Sequence, residues 1–251
     1  MADICIIPEH RLSIHGAGCS TCQEEIQAQQ ATAEFLARRA YLIRERLLDD
    51  GLGIQQRELQ ADINQIPAKV AQAMPTWFRE GHIRGGFGLG GGVGIGKTQA
   101  ISAYLQQAMI SHSDRVIIPT IKGHESRYNN PFPPVRWSCW PEEVYWLRSH
   151  AVNGADNRIQ RLASAAVLVL DDLGRERIKT DFTSDWATSQ LDHIVNHRYR
   201  MRLPIIWTTN VAEDDLIDLY GAPMYRRLIE PNPLSWISET KPFHRSGVNR
   251  C

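Results

Sequence analysis

The chain has 251 residues, 43% of them hydrophobic and 22% charged, enough to bury one large core with a small appendage. No apolar run reaches the length of a membrane span, and the N-terminus lacks the basic-then-apolar pattern of a secretory signal, so a cytoplasmic location with no membrane partner is expected. Lys plus Arg total 28 and Asp plus Glu total 28, so any contact with nucleic acid must come from a local patch and not from net charge.

Three of the five cysteines fall within residues 1–22. In a reducing compartment that clustering points to a metal before a disulfide. Cys19-Ser20-Thr21-Cys22 places two thiolates on one tight turn, which suits two corners of a zinc tetrahedron, and Cys5, His10 and His15 lie within reach for the others. Free thiols and redox chemistry are the competing readings. Residues 23–80 read as a helical adaptor. Ile26, Phe35, Leu36, Leu42, Ile43 and Leu47 mark a helix of roughly seven turns that Gly51-Leu52-Gly53 ends. Its apolar stripe is too long for solvent, so it packs on the rest of the chain or docks on a partner. A second helical stretch, from about Leu59 to Glu80, is interrupted at Pro67 and Pro75, where helices start or kink.

From residue 81 to 251 short strands alternate with helices, the signature of a parallel α/β sheet flanked by helices. The first strand, Gly86 to Gly90, is weak because glycine alternates with its apolar residues. A helix with Ile101, Leu105 and Ala108 on one face follows over Gln99–Met109. Arg115 to Ile118 reads as a short strand closed by Pro119, and Lys122 to Pro134 as a turn-rich surface loop. That loop mixes Lys122, Arg127 and Tyr128, residues that could stack on and neutralise a single strand, although Glu125 inside it favours a plain exposed loop. Val135–Cys139 is a strand with Cys139 as a small buried hydrophobe, and Pro141 opens a helix with Glu142 and Glu143 in its first turn. Ala165–Leu170 is a strand buried on both faces, Asp185–Arg200 an amphipathic helix, and Pro204–Thr209 a further strand.

Residues Gly91-Gly92-Val93-Gly94-Ile95-Gly96-Lys97-Thr98 fill the template G-x-x-x-x-G-K-[ST], with a helix directly behind them through Gln99. Glycines let successive N–H groups turn inward around a polyphosphate, and the helix N-terminus adds its positive pole. Lys97 then reaches the β/γ-phosphates and Thr98 offers a hydroxyl to Mg²⁺. The buried strand runs into Asp171-Asp172, carboxylates at the C-terminal end of a core strand, where open α/β sheets bind ligands. Asp171 is the expected Mg²⁺ ligand, through water, and Asp172 the group that orients or deprotonates the attacking water. Asn210 ends the Pro204–Thr209 strand with an uncharged amide able to position that water, although Asn is also a common turn residue.

Taken together, Leu168-Val169-Leu170-Asp171-Asp172-Leu173-Gly174, His197-Arg198-Tyr199 with Pro204 to Asn210, and Tyr225-Arg226-Arg227-Leu228-Ile229-Glu230 resemble AAA+ ATPases of the DnaC/IstB group over roughly residues 81–230. Within it the chain is most similar to DnaC-like helicase loaders, phage replication proteins included. The resemblance implies a P-loop NTPase fold binding ATP and Mg²⁺, with Lys97 and Thr98 as Walker A, Asp171 and Asp172 as Walker B, and Asn210 as sensor 1. Gly91 to Gln99 line the nucleotide, and Arg227 matches the arginine that reaches a neighbouring subunit's nucleotide, so self-association is implied. A planar cation there stabilises charge spreading over the γ-phosphate oxygens. The resemblance also implies a DnaB-type replicative helicase and single-stranded DNA as partners. It extends to the N-terminal segment, which is similar to a small zinc-binding element that precedes the ATPase in several loaders. Ile7 stands where the family usually has Cys before Pro8, so Cys5 fills that position beside His10, Cys19 and Cys22, or the site is incomplete. The expected function is ATP-dependent helicase loading in DNA replication. The alternatives are an IstB-type transposition ATPase, a P-loop small-molecule kinase, and a zinc adaptor that binds ATP without hydrolysing it.

Overall fold

The computed structural model describes residues 56–111, 117–119, 125–127, 135–150, 155–176 and 183–238, together with Gln27, Ala28, Gln30, Ala31 and Glu34, which are helical and exposed. The candidate zinc ligands Cys5, His10, Cys19 and Cys22 lie outside the described residues. The chain divides into two compact units, residues 1–42 and 43–251, and the second holds the sheet and the helices that flank it.

Proline punctuates the start of this unit. Helix α1 (Gln56–Leu59) is followed by a single 3-10 turn (Ile63–Gln65), capped by the Asp62 carboxylate accepting the Asn64 N–H at 2.9 Å. Pro67 and Pro75, with no N–H to donate, stand just before helices α2 (Ala68–Ala73) and α3 (Thr76–Arg79). Strand β1 (Phe87–Gly91) then leads into helix α4 (Lys97–Ser111). Leu59, Val70, Met74 and Phe78 of the first helices join Phe87, Ile101 and Leu105 in one buried cluster on this side of the sheet. The α1 backbone is tied to α4 as well, because the Ser102 hydroxyl donates to the Glu58 carbonyl at 2.7 Å.

Next come strands β2 (Ile117–Pro119) and β3 (Glu125–Arg127), an antiparallel ribbon separate from the main sheet. The stretch expected to be all loop after Lys122 thus holds a strand, and Pro119 sits within β2. A proline is tolerated there because a two-stranded ribbon has outer positions that need no donor. Strand β4 (Val135–Cys139), helices α5 (Trp140–Ser149) and α6 (Ala155–Ser164), strand β5 (Val167–Leu173), helix α7 (Thr183–Met201) and strand β6 (Ile205–Thr209) follow, and helices α8 (Glu213–Tyr220) and α9 (Ala222–Ile229) lead to strand β7 (Leu234–Ile237). The five-stranded sheet has the order β4-β5-β6-β1-β7 with all neighbours parallel. Neither α6 nor β7 is anticipated by the sequence patterns above. Helix α6 is short but buries Ala155, Ile159, Leu162 and Ala163, a helical stripe.

The glycines that make β1 look weak are sites of close approach. Gly88 pairs with Trp207 and Gly90 with Trp236 across the two neighbouring strands. A Cβ on Gly88 would lie 2.3 Å from the Trp207 ring, and one on Gly90 2.2 Å from the Trp236 ring. Each indole lies over a glycine and supplies the apolar surface that the strand lacks.

Arg198 on α7 is fully buried at 0% exposure. Its Nη1 donates to the carbonyls of Leu162, Ala163 and Ala165, and its Nη2 to that of Pro204. The last carbonyls of a helix have no partner within it, and this guanidinium serves the α6 end while clamping the starts of β5 and β6. Burial pulls its pKa down to about 9. Cys139, at the end of edge strand β4, is half-buried, and burial pushes its thiol up to about 12, which makes it inert.

Candidate functional site

The turn between β1 and α4 lies at the C-terminal edge of the sheet, flanked by the ends of β5 and β6. Gly94 (φ 78°) and Gly96 (φ 98°) are in the left-handed region, which glycine enters without a Cβ clash. Ile95 between them is buried and pins the turn to the core, while Val93 is exposed. The first backbone bond inside the helix runs from the Ala100 N–H to the Gly96 carbonyl at 2.8 Å, so the amides ahead of it have no intrahelical partner. Gln99 is half-buried in the first turn of α4.

Lys97 is buried, with its ammonium donating to the Gly91 and Gly92 carbonyls at 2.9 and 2.8 Å and to Asn210 Oδ1 at 2.7 Å. All three acceptors are neutral. Burial lowers its pKa to about 8, against the pull of the Asp172 and Asp171 carboxylates.

Consecutive side chains of a regular strand point to opposite faces, which would separate Asp171 from Asp172. The ladder between β5 and β6 instead slips: Leu170 pairs with Trp207 and Leu173 with Thr209, so β5 uses one residue more than β6. Asp172 absorbs the bulge at φ 59°. Asp171 Oδ1 accepts the hydroxyls of Thr98 at 2.9 Å and of Thr208 at 2.5 Å. Asp172 accepts from Asn210 Nδ2 on Oδ1 and from Arg175 Nη1 on Oδ2, both at 2.9 Å. Burial pushes the Asp171 carboxyl up to about 6; the Thr208 and Thr98 hydrogen bonds oppose that and the Asp172 charge adds to it.

Lys97, Thr98, Asp171, Asp172 and Asn210, 113 residues apart at the extremes, therefore come together at one edge of the sheet through direct hydrogen bonds. A hydroxyl and a carboxylate oxygen 2.9 Å apart are the hard oxygen donors that Mg²⁺ prefers, and no described residue donates to Asp171 Oδ2. The site fits that ion. Arg227 stands apart from this cluster on α9, where its Nη1 donates to Asp192 of α7 at 3.0 Å; Arg226 beside it is exposed. No group of three or more His, Cys, Asp and Glu able to hold a metal occurs among the described residues.

Two contacts have no counterpart among the sequence motifs. Arg175 reaches back three residues onto Asp172, and Thr208 touches both acids. The Thr208 contacts carry no local signal, because they depend on the bulge and the strand register.

No protein-family model and no curated protein sequence matches the chain. Solved structures do. The crystal structure of the DnaC helicase loader is similar over 73% of this chain and 100% of its own, with 20% identity and a TM-score of 0.53. The chain has the AAA+ P-loop fold. The structure of DnaI covers 74% of this chain and 95% of its own at 18% identity and a TM-score of 0.55. A replication initiator DnaA bound to AMPPCP and single-stranded DNA covers 73% at 17% identity and a TM-score of 0.50, with this chain spanning 51% of that one. Among the described residues no helix is long and apolar enough to cross a membrane.

Proposed function

We propose that the chain is an ATP-dependent helicase loader that binds and hydrolyses ATP at the β1–α4 turn to deliver or release a DnaB-type helicase on single-stranded DNA. The observation that carries the reading is the 2.9 Å contact between Thr98 of the turn and Asp171 at the end of β5, beside the Lys97–Asn210 hydrogen bond. The fold shared with the DnaC and DnaI structures supports the assignment to replication.

The turn glycines and the N-terminal end of α4 would receive the β-phosphate, with Lys97 leaving the Gly91 and Gly92 carbonyls for the γ-phosphate. Thr98 and Asp171 would hold Mg²⁺, which when bound neutralises charge on the β- and γ-phosphates. Asp172 is the residue to accept a proton from the attacking water. Asn210 donates to that carboxylate now, and loses its bond from Lys97 when the lysine turns to phosphate, so it is placed to report nucleotide. Arg227 would act on a neighbouring protomer's nucleotide, which requires it to exchange Asp192 for phosphate. Both partners are about a third or more exposed, at 34% and 44%, so water screens the pair and the exchange costs little.

The test is nucleotide binding and phosphate release by wild type and Lys97→Ala, with and without helicase and single-stranded DNA. Wild-type turnover that Lys97→Ala abolishes is expected. Turnover retained in Lys97→Ala overturns the reading, and stimulation by a transposase in place of a helicase moves the chain to the transposition ATPases.

A further inference from the structure

The hydroxyl of Thr208 occupies an unusual position. It lies on β6, in the middle of the sheet, at 0% exposure. A threonine hydroxyl has one proton to give and two lone pairs. Here the proton goes to Asp171 Oδ1 at 2.5 Å, and a lone pair takes the Asp172 backbone N–H at 2.9 Å. One oxygen thus binds both acids, one by its side chain and the other by its backbone.

The bulge makes that bridge necessary. Where β5 carries its extra residue, the ladder with β6 is interrupted, and the Asp172 N–H is satisfied by a side chain of β6. Asp172 is also held at φ 59°, a conformation that costs a non-glycine residue energy and persists only where its surroundings over-determine it. Three contacts do so: Thr208 on its N–H, and Asn210 and Arg175 on its two carboxylate oxygens. Of these only Thr208 is fully buried and independent of side-chain motion at the surface. The next residue, Thr209, spends its hydroxyl on the Leu173 carbonyl at 2.8 Å and reaches neither acid.

We propose that Thr208 is a positioning residue: by bridging Asp171 and Asp172 it sustains the bulge that turns both carboxylates toward one site and leaves Asp171 Oδ2 open to a divalent cation. This rests on the reading of the site as an ATP·Mg²⁺ site.

The experiment compares wild type, Thr208→Val and Thr208→Ser for binding of fluorescent ATP with and without Mg²⁺ and for phosphate release, after thermal melts establish that each is folded. Valine keeps the branched shape and loses the hydroxyl. Thr208→Val is expected to bind Mg²⁺-free nucleotide as wild type does, to lose the tightening that Mg²⁺ brings, and to turn over about 10- to 100-fold more slowly, the worth of a hydrogen bond to a charged group. Thr208→Ser, which restores the hydroxyl, is expected to stay within about threefold of wild type. Wild-type Mg²⁺ dependence and turnover in Thr208→Val would overturn the assignment, as would a Thr208→Ser protein as impaired as Thr208→Val. If Thr208→Val does not fold, Thr208→Ala takes its place against Thr208→Ser under the same criteria. A wild type that binds nucleotide but does not hydrolyse it is judged on Mg²⁺ tightening alone. A wild type that binds no nucleotide refutes the ATP site itself, and the role of Thr208 falls with it.

Discussion

Replacing Arg198 with Met keeps most of the side-chain volume and removes every donor. The Leu162, Ala163 and Ala165 carbonyls then lose their guanidinium, whereas the Pro204 carbonyl keeps the Leu168 N–H at 3.3 Å. A buried acceptor left unsatisfied costs about 1–3 kcal/mol. Three of them outweigh the relief of no longer burying a charge, whose cost is visible in the lowered Arg198 pKa of about 9. A net loss of about 3 kcal/mol is expected, or roughly 6–12 °C in melting temperature for a domain of this size. Thermal and urea denaturation measure it. The clamp grips the starts of β5 and β6, whereas Asp171 and Asn210 lie near their far ends, on the order of 20 Å away at the usual rise per residue. Nucleotide affinity well below the melt should therefore be unchanged. An Arg198→Met protein as stable as wild type, or more so, would refute the reasoning, since the carbonyls would then be better served without the cation.

Gly88→Ala should destabilise by about 1–3 kcal/mol in a denaturant titration, because its Cβ would meet the Trp207 ring at 2.3 Å in a core that cannot yield; a neutral result would mean that the indole moves freely. The Lys97 pKa near 8 lies below the ordinary lysine value of 10.5, so between these the unfolded chain binds the extra proton and stability rises with pH. Wild type should gain on Lys97→Met across that window without nucleotide, and parallel pH curves for the two would contradict a buried ammonium. Arg227→Ala should leave ATP affinity intact while assembly-stimulated turnover falls on the order of 10³-fold, the low end for an arginine acting in trans. Arg226→Ala tested beside it decides between the two neighbours, and a loss confined to Arg226→Ala would transfer the role.

How much of the fold and site is legible in the amino-acid order varies by element. The glycine-rich octet, the helix behind it and the apolar strand ending in two aspartates are legible because their signals are local: spacing, glycine content and unbroken hydrophobicity. Strand β7 is not, since Leu234-Ser235-Trp236-Ile237 is only four residues long and becomes a strand by pairing with β1. Glycines 88 and 90 argue against β1 on propensity, and only the indoles lying over them explain why the strand forms all the same. Ribbon strand β3 hides inside a turn-rich stretch because its pairing with β2, and not its own composition, makes it a strand.

By itself the sequence determined the glycine-rich turn ahead of a helix, the alternation that makes a parallel sheet, and the lysine, hydroxyl and carboxylate types that stand at its edge, since these depend on neighbours a few positions apart. Tertiary structure decided whether Thr98 meets Asp171, that a bulge brings Asp172 to the same side, that Thr208 binds both, and that Arg227 rests on Asp192. Those are facts of strand register and helix packing, where a shift of one residue reverses which face a side chain occupies, and no local pattern encodes them.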